Sequence, residues 1–267
     1  MIAFGRIAGE NSSKGETKAM HEVANPVACP DCPLQACPGL RKLEPRQLAY
    51  MQEFKTGEVM LDRGDVVIEE GAEHDRLYTV LDGVLIRSRS LEDGRRQIVN
   101  FMFPGDLVGL QSAFDEPSSH TIEALIDARL CRFERGDFQK LIAEHPSLGY
   151  DITWLAAKEE RLLEEHIVAL GQRSARERVT YLAVWLLDRA LQTNLAASDN
   201  VLHLSIRQNQ IADMLGLSLV HTNRTIRQLE REGLVIWKSR EICVPDLDAA
   251  ADVAQYNREE NSLRPFI

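Results

Sequence analysis

Residues Ser205–Arg240 read SIRQNQIADMLGLSLVHTNRTIRQLEREGLVIWKSR, and this stretch decides the fold. Ile211, Met214 and Leu215 recur at helical spacing, the pattern of one buried helix face. Gly216 breaks the pattern, and Ser218 is placed to cap a second helix by accepting a backbone N–H. That helix is expected to bury Leu219, Ile226 and Leu229 and to turn His221, Asn223, Arg224 and Arg227 outward. Two helices joined by a short glycine-containing turn make a helix-turn-helix unit, whose second helix enters a DNA major groove. Gly233 ends it. Leu234–Lys238 and Glu241–Val244 then read as two short strands around Ser239–Arg240, a wing.

A plain helical hairpin inside a larger core would share this spacing. Charge separates the two readings. Residues 207–240 hold six Arg/Lys against three Asp/Glu, whereas the whole chain of 267 residues carries −10. A local basic face on an acidic protein is the electrostatic footprint of double-stranded DNA binding. Ser218 and His221, Asn223 and Arg224 lie where base edges would be. Arg227, Lys238 and Arg240 lie where phosphates would be.

The length suffices for two domains with a sizeable core each. Hydrophobic content of 44% with 27% charged residues fits a soluble globular protein. No apolar run reaches the length of a membrane span, and residues 1–28 lack a signal-peptide core. A cytoplasmic protein is expected, with no membrane partner. Five cysteines in such a chain are poor disulfide candidates, and clustered ones suit metal or redox chemistry.

Residues 1–28 are polar and aperiodic, expected as a flexible N-terminal tail. CPDCPLQAC follows, with Cys29, Cys32 and Cys37 among Pro30, Pro33 and Pro38. The prolines forbid a regular helix there. Three thiolates in one loop would fill most of a Zn²⁺ or Fe–S coordination sphere; reduced, idle thiols on a surface loop are the alternative. Over residues 57–134, β-rich runs alternate with turns at Gly64, Gly71, Gly83, Gly94 and Gly105, the rhythm of an antiparallel sandwich or barrel. Cys131 lies in the last run. Taken alone it reads as a small core residue.

From Pro146 to Leu170 a helical stripe runs through Ile152, Leu155/Ala156, Leu162/Leu163, Ile167 and Leu170, interrupted by Glu159 and His166. Such a stripe can pair with a second copy or pack on its own β-domain. A homodimer is expected, because a helix-turn-helix usually reads two half-sites as a dimer. The seam would then hold Ile152, Leu155, Glu159, Leu162, Leu163, His166, Ile167 and Leu170. Glu159 and His166 there would make a dimer pH-sensitive. Ser174 with Glu177 forms a capping box, opening a helix to about Leu191 and leaving Gly171–Arg173 as a hinge. Residues 192–201 read as a polar loop. The division is α+β: tail 1–28, cysteine loop and β-roll 29–145, dimerisation helix 146–171, winged helix-turn-helix 172–245, and a C-terminal tail 246–267.

Four motifs carry a resemblance. They are GDVVIEEGAEHDRLYTVLDGVL (64–85), FPGDLVGL (103–110), ARERV (175–179) and IADMLGLSLVHTNRTIRQLEREGLV (211–235). In this order the chain resembles the CRP/FNR family of bacterial transcription regulators over about residues 28–245. The resemblance implies a cyclic-nucleotide-binding-like β-roll, a dimerisation helix, a winged helix-turn-helix, and RNA polymerase as a partner. The family's cyclic-nucleotide binders use a Gly-Glu segment and an Arg-Ser pair. Here Gly109 is followed by Leu110, and His120 and Thr121 stand where Arg and Ser would. A cyclic phosphate then lacks its bidentate guanidinium, so cAMP is not expected as a ligand.

FPGDLVGL resembles the FNR branch, which senses oxygen through a [4Fe–4S] cluster. Cys29, Cys32, Cys37 and Cys131 match its ligand pattern, with four residues between Cys32 and Cys37 where the best-known members have five. Val220 stands where the family often has Glu, which removes an acceptor for cytosine N4. Arg224 keeps the residue type that contacts guanine O6/N7. A regulator without a cluster would answer instead to another small ligand, haem or thiol oxidation. An enzyme is not expected: there is no nucleophile–base pair, phosphate loop or HExxH, and His145, His166 and His221 are scattered.

Overall fold

The computed structural model describes residues 20–111, 116–197, 199–258 and 263–267. A two-residue strand β1 (His21–Glu22) comes first, then two 3-10 turns (Cys29–Asp31 and Pro33–Ala36) and helix α1 (Pro45–Phe54). The strands of the roll are β2 (Lys55–Leu61), β3 (Val66–Ile68), β4 (Arg76–Asp82), β5 (Leu85–Ser90), β6 (Arg96–Met102), β7 (Leu107–Val108), β8 (Thr121–Ala124) and β9 (Ala128–Glu134). Helices α2 (Phe138–Glu144), α3 (Pro146–Gln172) and α4 (Ala175–Gln192) follow. The last part holds β10 (Val201–Leu202), α5 (Gln208–Leu215), α6 (Leu219–Arg231), β11 (Ile236–Lys238), β12 (Glu241–Cys243) and α7 (Leu247–Ala254).

Two antiparallel sheets form the roll, in the orders β1-β2-β9-β4-β7 and β3-β8-β5-β6. Val59, Val80, Leu85, Ile122 and Leu130 fill the space between them. β9 is buried on both faces: Ala128 and Leu130 belong to this core, whereas Cys131 and Phe133 belong to a separate apolar cluster. The turn at Gly83 needs glycine twice over. Its φ is +85°, and a Cβ would come 2.4 Å from the Asp127 carbonyl.

A second core joins the roll to the helical part. Ile86, Ile98, Phe101 and Phe103 pack with Tyr181, Trp185 and Leu186 of α4, and on to Ile211, Leu229 and Val244. Phe103 meets Trp185 edge-on with ring centroids 6.0 Å apart. Polar contacts reinforce the junction: Arg96 pairs with Asp213 at 3.4 Å and Gln97 donates to the Met214 carbonyl at 3.0 Å. Ser174 caps α4, its side chain accepting from Glu177 N while the Glu177 carboxylate accepts from Ser174 N. The break before it is clamped. Arg173 is buried, pairs with Glu165, donates to the Gln255 carbonyl at 2.9 Å and lies over the Tyr181 ring.

Three expectations need correction. Residues 246–267 are not a tail: Asp246 caps α7, which buries Ala250, Ala251 and Ala254, and Phe266 and Ile267 lie in the roll's apolar cluster. Small alanines bury a helix face without the large apolar residues that make a period legible. The N-terminal tail also ends early. Residues 1–19 lie outside the described part, but His21 pairs with Met60 and Glu22 with Val59 on the edge of β2. Lastly, α3 has two faces. Ile152 and Leu155 are buried within the chain, and Glu159 binds Arg87 and Asn100 of the roll. His166 is buried against Tyr181 and Trp185, so it cannot lie in a seam. Leu162 packs partly on the core. Ile167 at 66% exposed and half-buried Leu163 point away from it. Among the described residues no helix is long and apolar enough to cross a membrane.

Candidate functional site

The helix-turn-helix is built as its sequence dictates. Ile211, Met214 and Leu215 are buried on α5. Gly216 adopts the left-handed conformation at φ +61°, and Ser218 accepts from His221 N at 3.2 Å to start α6. Ser218 is thereby a cap. Thr222, Thr225, Ile226 and Leu229 form the buried face of α6. Leu219 does not join them: it is 52% exposed, at the mouth of a groove shared with Ile226 and Trp237. Gly233 at φ +68° turns the chain into the wing, where β11 and β12 pair antiparallel around exposed Ser239–Arg240.

On the outer face of α6, Val220, Asn223, Arg224 and Arg227 line an open concavity with Gln208 of α5. Asn223 Nδ2 donates to Gln208 Oε1 at 2.9 Å, a link that ties the two helices on that face. Spacing rules do not reveal Gln208, because its partner lies across the turn. Among the described residues Arg224, Arg227 and Arg240 carry no ion pair, while Lys238 pairs with Glu241 at 3.3 Å. His221 is half-buried beside them. Arg224 and Arg227 in that concavity, with Arg240 on the wing, suit phosphate and base contacts.

The four cysteines come together at the far end of the roll. Cys29 and Cys32 sit on the two 3-10 turns. Cys37 closes the second turn, its thiol donating to the Pro33 carbonyl. Cys131 stands in mid-β9, paired with Glu58 of β2 and Thr79 of β4. All four are free and belong to one apolar cluster with Leu34, Met51 and Phe133. Cys29, Cys32 and Cys131 face a common cavity, with Phe266 and Ile267 as one of its walls.

The loop is held by α1 and β2. Gln52 accepts from Cys29 N at 2.8 Å, and Glu58 accepts from Val27 N at 2.9 Å. Lys55, buried beside Glu58, donates to the Val27 carbonyl. Burial pushes the Cys32 thiol up to about 11 and raises Cys29, Cys37 and Cys131 as well, with the Lys55 ammonium opposing the rise at Cys29, Cys32 and Cys131. These are protonated thiols at neutral pH unless a metal displaces the proton. In kind and number the donors fit an iron–sulfur cluster. Their spacing here is closed: the shared cavity is about 30 Å³, room for a water-sized guest. Among the described residues no three His, Cys, Asp or Glu side chains form a ready-made metal site. Lys55 and the Phe266–Ile267 wall have no short-range sequence signal.

A cleft of about 960 Å³ lies between the roll and α3, where Leu110 and His120 stand. Each arginine lining it has a carboxylate partner: Arg87 with Glu159, Arg89 with Glu70 at 3.5 Å, Arg264 with Asp106 at 2.8 Å.

A roll, a connecting helix and a winged helix-turn-helix with an arginine face unpaired among the described residues are the architecture of a DNA-binding transcription regulator. Residues 58–145 match the cyclic nucleotide-binding domain and 181–251 the Crp-like helix-turn-helix domain. The second match ends within α7. The nitrogen fixation regulation protein FixK of Bradyrhizobium diazoefficiens is 32% identical over 213 residues, 78% of this chain and 85% of that protein. The transcriptional activator protein FnrL of Cereibacter sphaeroides is 26% identical over 231 residues, 85% of this chain and 92% of its own. The structure of FixK2 from Bradyrhizobium japonicum superposes with a TM-score of 0.65 at 27% identity, covering 73% of this chain and 96% of that one. The chain belongs to the CRP/FNR family of transcription regulators.

Proposed function

We propose that the chain is a homodimeric regulator of a palindromic DNA site, responding to oxygen or redox state through a [4Fe–4S] cluster on Cys29, Cys32, Cys37 and Cys131. The observation that carries this reading is the convergence of three thiols from the N-terminal loop with one from the middle of β9 in a single apolar cluster. When bound, such a cluster supplies an oxidant-sensitive link between loop and roll. The chain's own residues do the rest. Leu34, Met51 and Phe133 exclude water, and Lys55 offsets thiolate charge. Leu148 and Ile152 of α3 pack in the same cluster, so displacement of the loop is felt at the base of that helix. Leu163 and Ile167 on its outer face would meet a second copy. Two α6 helices would then lie one DNA turn apart, about 34 Å. The signal shifts a population between dimer and monomer. RNA polymerase is the partner of the bound dimer. Because the arginines of the cleft are already paired, a cyclic phosphate has no free guanidinium there.

The closed cavity favours a second reading, a regulator of the same fold that holds no cluster and responds through its thiols or the cleft. Cys131→Ser in anaerobically purified protein separates the two. Loss of bound iron and of oxygen-dependent DNA binding, with Cys243→Ser unaffected, supports the cluster. Equal iron and equal response in both variants would exclude Cys131 as a ligand.

A further inference from the structure

Val220 is 80% exposed, the highest value among the large hydrophobic residues described. It occupies the second position of α6, and Asn223, Arg224 and Arg227 follow at helical steps of three and four. These side chains line the same concavity. Among the described residues nothing covers Val220; it shares the concavity with Arg224, Arg227, Arg231, Asn223 and Gln208, together with Glu230 and exposed Leu219. An apolar protein partner would have to desolvate Arg224, Arg227 and Arg231, none of which has an ion pair among the described residues. A DNA groove meets those cations with phosphate. Among the base edges of the major groove, the C5 methyl of thymine is the one apolar group. The first turn of a recognition helix is where base edges are touched.

We propose that Val220 is a specificity-determining residue that packs on a thymine methyl, so that each half-site carries a thymine next to the base read by Arg224. This rests on the reading of α6 as the helix that enters the groove. Val220 has no polar side-chain atom, so it accepts nothing from cytosine N4 and discriminates by contact alone. The Asn223–Gln208 link limits how far the neighbouring amide can swing across it.

The probe is a duplex selected from a randomised library by the full chain, purified without oxygen. Each thymine is then replaced in turn by deoxyuridine, which deletes only the methyl. At one position per half-site, wild-type binding should weaken about fourfold, the worth of one buried methyl-sized group. Val220→Ala should bind the thymine and uracil forms of that position equally, and because Val220 is exposed the variant should keep its fold. Either of two results overturns the proposal: no uracil form binds more weakly than the parent duplex, or the fourfold effect persists in Val220→Ala. If Arg224→Ala still relaxes selection of a guanine, the failure belongs to Val220 alone. If Arg224→Ala leaves every base preference intact, the reading of α6 falls and the proposal with it.

Discussion

Arg264 reaches Asp106 at 2.8 Å, and the same carboxylate holds Arg189 of α4 at 2.7 Å. The chain beyond the DNA-binding part thus returns to the roll and is anchored at a buried acid. Two residues further on, Phe266 and Ile267 wall the cysteine cavity, and the Thr79 hydroxyl donates to the Ile267 carbonyl. Thr79 is the cross-strand neighbour of Cys131. The cysteine end of the roll and α4 are therefore joined through one short segment.

Asp106→Asn leaves two guanidiniums with a neutral partner in a site where the acid is 7% exposed. Removing one side of a buried pair typically costs about 3 kcal/mol. The urea midpoint should fall accordingly, whereas Asp93→Asn, which breaks an exposed pair with Arg95, should change stability by less than about 1 kcal/mol. Equal effects would show that the Asp106 centre is not a keystone.

Buried histidines set the acid response. Burial, then the charges of Arg87 and Arg173, lowers His166 to about 3; burial and Arg87 lower His120 to about 4. Both stay neutral in the folded state, while the unfolded chain protonates them near 6.5. Stability is therefore full above pH 6.5 and falls as pH drops toward 4, by up to about 1.4 kcal/mol per pH unit for each histidine. His166→Gln should flatten the loss between pH 6.5 and 5 in urea titrations. An unchanged slope would contradict the burial. Dimer dissociation should not follow His166, which faces Tyr181 across 2.9 Å inside its own chain.

Ile167→Glu places a charge on the exposed face of α3 and should yield monomer by sedimentation without loss of fold. Ile152→Glu alters a residue buried where α3 packs against the roll and should instead destabilise the chain. A dimer that survives Ile167→Glu would put the seam elsewhere.

Arg224→Ala should cost about 1–3 kcal/mol on the selected site and relax one base position. Arg240→Ala should weaken binding across all sequences and reduce the salt slope by about one. Competition binding at several salt concentrations distinguishes these outcomes.

Local rules made the helix-turn-helix readable. Ser218, Gly216, Gly233 and the Ser174–Glu177 box each act within a few residues, so their effects are printed in the sequence. The turns of the roll are readable for the same reason. Leu219 was misplaced because periodicity marks an apolar face without saying where the neighbouring helix ends. On α3 both faces are apolar, and tertiary contacts decide which one the roll takes: Leu148 and Ile152 pack in its cluster and Glu159 binds Arg87 and Asn100. Helix α7 buries alanines, and the Arg264–Asp106 and Thr79–Ile267 contacts join residues far apart in sequence. No window of local pattern reports such pairs. The cysteine spacing marks a loop of candidate ligands; that Lys55 lies beside the thiols is a property of the fold.

The most direct test of the account is iron and acid-labile sulfide measured on the full chain purified without oxygen, with DNA affinity recorded before and after exposure to air. The account predicts about four iron per chain, a visible absorbance that bleaches in air, and a parallel loss of dimer and of affinity for the selected site. Colourless, iron-free protein that binds the same site equally well before and after air would contradict it.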